Sequence, residues 1–239
     1  MRRQHFLIID TETTQDQLVA DFGAVIIDRK GNILNQCAAL VGGVFTDPAN
    51  HPLFFTTDPD GIWSESGQRQ RYENYQRMLD SGSRMIAGVN AINNWLGKAA
   101  ATYRPIMTAY NLSFDLHKCL NTGIDLTLFP DQFCMWQASV TAWAHTKAYR
   151  QMVLDCHAFN SPTALGNMSF KTNAEMMARF ALNRPDLEDE PHTALEDIVF
   201  YELPILKRLL KAKSTKWLLT EPSGFDWKAV QVRDWFKPA

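Results

Sequence analysis

Four consecutive apolar residues, Phe6 to Ile9, run straight into Asp10, Thr11 and Glu12. A short apolar run bounded by polar residues reads as a buried strand. "HFLII" is the first such run, "DFGAVIID" the second and "ILNQCAALV" the third. Between the last two lies "RKGN", a turn in which Gly31 supplies the tolerance for positive φ. Residues 42–70 are loop-like, punctuated by Gly42, Gly43, Pro48, Pro52, Pro59 and Gly61. Their apolar members, Phe45, Leu53, Phe54, Phe55, Ile62 and Trp63, predict a packed loop.

Helical periodicity takes over at about residues 70–80 and 84–101. In the second of these Met85, Ile86, Val89, Ile92 and Leu96 share a face, with Asn93 its one polar member. "PIMTAY" then reads as a short buried strand, and "NLSFDLHKCLNTG" as a helix ended by Gly123. In that helix Phe114 and Leu116 are expected in the core. A strand near Phe133–Trp136 and a helix over 137–149 follow. "SFKTNAEMMARFAL" predicts a helix with Ser169 as its N-cap. A last long helix spans about 192–211 and requires a kink at Pro204. Strands first, then helices alternating with strands, predict an α/β fold with a mixed sheet. Trp217, Trp227 and Trp235 predict that the tail after Lys213 packs on the body.

Composition changes little in this picture. The 239 residues are 46% hydrophobic and 21% charged, as in ordinary globular proteins. The net charge of -2 does not announce a nucleic-acid binder. Yet if four carboxylates are taken up by one metal site, the remainder is positive, and a polyanionic substrate is admissible. No run approaches the 18 apolar residues of a membrane span, and no signal peptide is recognisable. Cys37, Cys119, Cys134 and Cys156 have irregular spacing, so free thiols in the reducing cytoplasm are expected. Cys119, Cys134, Cys156 and His157 match no structural zinc spacing.

The chemistry lies where the strands end. Residues i and i+2 of a strand point to one face, so Asp10 and Glu12 crowd two negative charges together. Either a cation holds them, or the chain turns after Asp10 and separates them. Asp115 sits one turn into a helix that directly follows a buried strand. Asn111, at or near the N-cap, is four residues before it and on the same face. His192 and Asp197 stand at the start of the last long helix, behind Pro191. Taken singly, each has an ordinary explanation as a turn residue, a dipole-favouring acid or a surface His. Taken together, Asp10, Glu12, Asp115 and Asp197 are four hard oxygen donors beside buried elements, a set that suits Mg²⁺ or Mn²⁺. Two such ions can stabilise both oxygens of a phosphodiester displacement. A neutral His can take a proton from the attacking water near pH 7.

Three motifs then carry a family resemblance: "IIDTETT" with Asp10 and Glu12, "NLSFDLHKCL" with Asn111, Asp115 and Leu120, and "HTALED" with His192, Ala194 and Asp197. "FGAVIID" fits as the strand between the first two. Over residues 5 to about 210 the chain resembles the DnaQ-like 3'-5' exonucleases of the DEDDh group. The resemblance implies a ribonuclease H-like α/β fold, a central mixed five-stranded sheet flanked by helices. It implies that Asp10 bridges two ions (Mg²⁺ or Mn²⁺), that Glu12 and Asp197 complete the shell of the first, and that Asp115 holds the second. It implies His192 as general base, and Thr11, Thr13 and Asn111 around the terminal nucleotide. Thr193 occupies the place where a Tyr-type motif has its Tyr. Gln15 stands where relatives often have Gly, and residues 42–104 look like an inserted region. The exonuclease domain would cover 1–212, with 213–239 as an extension packed on it.

The implied partner is single-stranded DNA or RNA, which cationic grooves and stacked aromatics hold. Lys207, Arg208, Lys211, Lys213 and Lys216, followed by Trp217, form one candidate groove, and Arg69, Arg71 and Arg77 another. For both, the preferred account is structural: a dipole-complementing helix end and a solvated helix face. Protein partners, a homodimer among them, are left open. The rivals are a catalytically inactive nucleic-acid-binding module of the same fold and, more remotely, a phosphatase of the haloacid dehalogenase type with Asp10 as nucleophile. The latter expects Asp at position 12 and leaves the His192 motif unexplained.

Overall fold

In the computed structural model the first apolar run forms β1 (His5–Thr13), the centre of the sheet. The structure describes residues 4–50, 65–162, 166–222 and 229–232. β2 (Val19–Asp28) and β3 (Ile33–Val41) follow as an antiparallel meander, closed by a turn in which Gly31 has φ +83°. β5 (Ile106–Ala109) lies parallel to β1 on its other side, and β6 (Gln132–Cys134) parallel to β5. β4 (Met85–Ala87) pairs parallel with β3 at the far edge, which gives the order β4-β3-β2-β1-β5-β6. This is an α/β fold with a mixed sheet flanked by helices, but with six strands rather than the expected five.

The sixth strand is a correction to the helix expected from residue 84. Gly88 interrupts the helical period, and α2 (Val89–Tyr103) begins only after it. The pattern misled because Met85 and Ile86 continue the apolar spacing of α2, yet they are more than half exposed at the sheet edge. Asn93 keeps its place on the helix by tying down the next loop. Its amide donates to the Gly123 carbonyl at 2.9 Å and its oxygen accepts from the Asp125 N–H at 2.9 Å.

Alternation along β1 feeds two cores. Phe6 and Ile8 pack with Val25 and Ile27 under α4 (Met135–Ser139), α5 (Lys147–Asp155), α6 (Ala174–Leu182) and α8 (Leu203–Ala212). Leu7 and Ile9 pack with Ala24 and Ile26 under α2, α3 (Leu112–Thr122) and Tyr75 of α1 (Glu65–Asp80). A sheet covered on both faces explains why β1 and β2 read as unbroken apolar runs.

Four further expectations are corrected. The N-cap of α6 is Asn173, whose side chain accepts from the Met176 N–H; Ser169 lies upstream, bridged to Gln231. The helix expected over 137–149 is α4, a π-helical segment Val140–Ala144, and then α5 capped by Thr146. Phe114 is exposed, with the Lys118 ammonium over its ring. The helix over 192–211 is α7 (Ala194–Asp197), a π-helical segment Ile198–Glu202, and then α8. Pro204 thus enters in the first turn of α8, where its missing N–H is not needed. α9 (Thr215–Thr220) follows; Leu218 of this helix, together with Val230 and Val232, joins the first core. The apolar loop residues 53–55, 62 and 63, and Trp227 and Trp235, lie outside the described residues, as does the Arg69 side chain. No helix among the described residues is long and apolar enough to cross a membrane.

Candidate active site

Asp10 and Glu12 leave the C-terminal end of β1 on the face covered by α7 and α8. Directly across from Asp10 stands Gly23 of β2. A Cβ there would lie 2.7 Å from the Ala194 carbonyl carbon, so only glycine lets α7 seat this close to the sheet. Asp197, at the end of α7, is thereby brought to Asp10 and Glu12. Asp115 arrives from the opposite face, in the first turn of α3. Thr11, which alternation turns toward that side, donates its hydroxyl to Asp115 Oδ1 at 2.8 Å. The four expected acids therefore meet from three separate elements.

His192 stands beside them. Ligand atoms of Glu12, His192 and Asp197 lie within 4.8 Å of one another. Its backbone is left-handed, with φ +53°. The strand-like approach to α7 is fastened on several sides. Arg179 donates to the Leu187 carbonyl at 3.0 and 2.8 Å, and the Tyr201 hydroxyl lies 3.0 and 2.8 Å from the carbonyls of Glu188 and Asp189. The Glu190 N–H donates to Glu175 at 3.1 Å, and the Ala194 N–H to Asp21 Oδ2 at 3.0 Å. Arg71 of α1 reaches the His192 carbonyl and pairs with Glu12 at 3.2 Å. Arg71 is thus a buried clamp, not part of a solvated helix face as its pattern suggested.

Burial and crowding set the charge states. Asp10 is pushed well above the usual carboxylate range, first by burial, then by Glu202, Asp115, Asp197 and Glu12. Asp115 rises to about 8 and Asp197 to about 10, each mainly through burial, with Glu12 repelling both. Glu12 rises less, because Arg71 opposes its burial. His192 falls from 6.5 to about 4, through burial and then the Arg71 charge, and so is neutral at pH 7. Two oxygens of this cluster, Asp197 Oδ1 and Glu202 Oε2, are buried with no hydrogen-bond partner among the described residues. Carboxylates packed this way, with Arg71 as the one cation paired to the set among the described residues, suit a hard divalent ion.

Asp10, Glu12 and Asp197 open onto a cavity of about 420 Å³, whose lining does not include Asp115. It is lined by Asp10, Glu12, Asn111, His192 and Asp197, and also by Tyr110, Trp136, Asn160, Thr172, Asn173, Glu190, Glu202 and Val230. Asn111 has φ +68° and lines the cavity; its Oδ1 accepts from the Ser113 hydroxyl at 3.3 Å. Thr11 and Thr13 are not among the lining residues, and the Thr11 hydroxyl is taken by Asp115. Tyr110, Trp136 and Glu202 escaped the sequence reading, because each sits in an apolar run that resembles core. The only hint was Pro204, which forbids a regular helix at Glu202.

The basic cluster lies elsewhere. Lys207, Arg208 and Lys211 line a groove with Arg29 and Lys30 at the β2–β3 turn. That turn adjoins His5, five residues of β1 from Asp10, or about 17 Å at strand rise. Arg208 is turned inward, bonded to the carbonyls of Phe180 and Ala181 and set over both the Phe180 and Trp143 rings. The Lys213 ammonium covers Trp217. The cysteines form no disulfide, and no cysteine enters a metal-competent cluster among the described residues.

No family model and no curated protein matches this chain. A solved structure is similar. It is exonuclease I in complex with inhibitor BCBP, at 12% sequence identity and a TM-score of 0.46, over 91% of this chain and 43% of that chain. The chain therefore spans less than half the length of this neighbour.

Proposed function

We propose that this protein is a divalent-metal-dependent 3'-5' exonuclease of the DEDDh group, acting on single-stranded DNA or RNA. One observation carries the reading. Asp10, Glu12 and Asp197 line one cavity beside a neutral His192, Asp115 is held next to them by the Thr11 hydroxyl, and Asp197 Oδ1 is buried without a hydrogen-bond partner among the described residues. Such a cluster is unfavourable alone and becomes favourable around cations. Two bound divalent ions would supply the positive charge that the attacking and leaving oxygens of a phosphodiester require.

In this reading the chain's own residues divide the work. Glu12, Asp197, Asp10 and Asp115 would hold the ions. Thr11 fixes the Asp115 carboxylate, and Arg71 fixes the His192 backbone and the Glu12 side chain. His192 accepts the proton of the water that attacks the terminal phosphorus as the bond to the 3' oxygen breaks. The products are a nucleoside 5'-monophosphate and a strand shorter by one. A cavity of 420 Å³ is the size of small-ligand sites, and Tyr110 and Trp136 offer aromatic lining for a base, with Asn111 for its backbone. Residues 1–212 form the exonuclease domain. The 42–104 region supplies Arg71, and the 213–239 extension contributes Val230 to the cavity wall.

The test is a gel assay of 3'- and 5'-labelled single-stranded DNA and RNA, with Mn²⁺ or with chelator, for wild type and Asp10→Asn. Metal-dependent shortening from the 3' end, lost in Asp10→Asn, is expected, and the preferred strand names the substrate. Equal shortening by Asp10→Asn would sink the site assignment. Metal binding with no shortening would favour the inactive binding module.

A further inference from the structure

Glu202 lies in "IVFYELPIL", where its neighbours Tyr201, Leu203 and Ile205 are core residues. Periodicity alone makes it an anomaly, a carboxylate where the helix should bury an apolar group. It is 2% exposed. Its Oε1 accepts the Tyr110 N–H at 3.3 Å, and its Oε2 has no partner among the described residues. It lines the same cavity as Asp10, Glu12 and Asp197. No cation among the described residues moderates its burial; the charges it meets are those of Asp115 and Glu190, and it in turn repels Asp10 and Asp197.

The backbone is built to deliver it there. In a regular α-helix five residues turn about 500°, which would point Glu202 well away from Asp197. Between these two residues the chain is instead a π-helical segment, Ile198–Glu202. Bonds from i to i+5 stack residues five apart, so the segment returns Glu202 toward the face of Asp197. The single widened turn also leaves Pro204 in the first turn of α8. A core helix that needed only packing would have neither feature.

The tight group of Glu12, His192 and Asp197 accounts for one cation position. Asp10 and Asp115 lie outside that tight group; Asp10 shares the cavity wall with Glu202, and among the acids that repel Asp10 the strongest is Glu202. We infer that Glu202 is a fifth carboxylate of the metal site, its unpartnered Oε2 holding a second divalent cation together with Asp10 and Asp115. The inference rests on the metal-dependent reading above and goes past it, since neither the motif set nor its spacing includes this position.

The experiment counts bound Mn²⁺ by titration calorimetry and by electron paramagnetic resonance, for full-length wild type and Glu202→Gln. The amide keeps an acceptor for the Tyr110 N–H and removes the charge. Wild type is expected to bind two ions, and a single ion would overturn the inference. Glu202→Gln is expected to keep the first and to lose the second or bind it at least about 10–100-fold more weakly, with metal-free melting unchanged or raised. Two ions at unchanged affinity in Glu202→Gln would overturn the inference and make Glu202 a neutral structural acid, with the nuclease reading intact. No ion bound by wild type would overturn both. Should Glu202→Gln fail to fold, Glu202→Leu, which suits the apolar surroundings, gives the same count.

Discussion

Two buried acidic groups sit side by side on this sheet and are treated in opposite ways. Asp21 on β2 is the cross-strand partner of Glu12 on β1. Asp21 is fully buried, yet Arg84 reaches it at 3.3 Å and the Ala194 N–H at 3.0 Å. Arg84 also grips both oxygens of Glu196. That group is closed: its acids have protein partners, and it fastens α7 to the sheet. Beside it Asp10, Asp197 and Glu202 line one pocket with Asp115 next to them; the hydrogen bonds that reach Asp115 and Glu202 come from a hydroxyl and a backbone N–H, and Arg71 pairs with Glu12. Burial raises Asp21, Glu12, Asp197, Asp10 and Glu202 alike. Arg84 pulls against it at Asp21, and Arg71 at Glu12 and, after several acids that push the other way, at Asp197. No cation among the described residues opposes it at Asp10 or Glu202. The difference teaches where a cation from outside is needed. A fold that sets an arginine against Asp21, and none among the described residues against Asp10 and Glu202, has left room for a metal.

The largest effect should come from breaking the closed group. Arg84→Met leaves Asp21 buried without its counter-charge, removes the partner of the half-buried Glu196, and should destabilise the protein by about 3–5 kcal/mol. A melting temperature equal to wild type would show that Arg84 is not what neutralises them. In the open group, His192→Ala should slow hydrolysis about 10²–10⁴-fold while Mn²⁺ still binds. An unchanged rate would remove His192 from the chemistry, and lost metal binding would make it a ligand.

The pH dependence sharpens the comparison next. Asp115 and Asp197 have folded-state values of about 8 and about 10, above those of the unfolded chain. The folded state therefore binds more protons, and their contribution to stability falls as pH rises toward those values. His192, lowered to about 4, works the other way, but its gain is complete by about pH 6.5. In chelator, melting temperature should thus fall between pH 6.5 and 9, and saturating Mn²⁺ should abolish the fall. A flat profile in chelator would mean that the carboxylates are not crowded as described. The smallest effect is expected of Thr11→Val, which removes the bond to Asp115. It should cost about 0.5–1.5 kcal/mol and weaken Mn²⁺ binding without abolishing it. Unaltered metal affinity would show that Asp115 needs no help in holding its position.

Much of this site is visible along the chain because its parts are local. Asp10 and Glu12 follow an apolar run, Asp115 opens a helix after another, and His192 and Asp197 stand at a helix start. The residues that complete it are not visible in this way. Arg71 looks like one more cation on a polar helix, since nothing in α1 itself says that Glu12 and the His192 carbonyl lie opposite. Glu202 looks like a misplaced acid until the π-helical turn is seen. Tyr110 and Trp136 cannot be told from core aromatics without the cavity they border. Met85 and Ile86 fit a helix by period and become a strand because the edge of β3 is there to pair with.

The sequence by itself determined the central strands, the two-sided burial of β1 and β2, and the four acids and histidine of the motifs, because alternation and helical period are properties of neighbouring residues. Only the tertiary structure decided the sixth strand, the arginine that each acidic group receives or lacks, and the return of Glu202 to the cavity. Those depend on which distant backbone groups and charges meet, and a buried charge is stabilised or stranded by partners that its own segment does not contain.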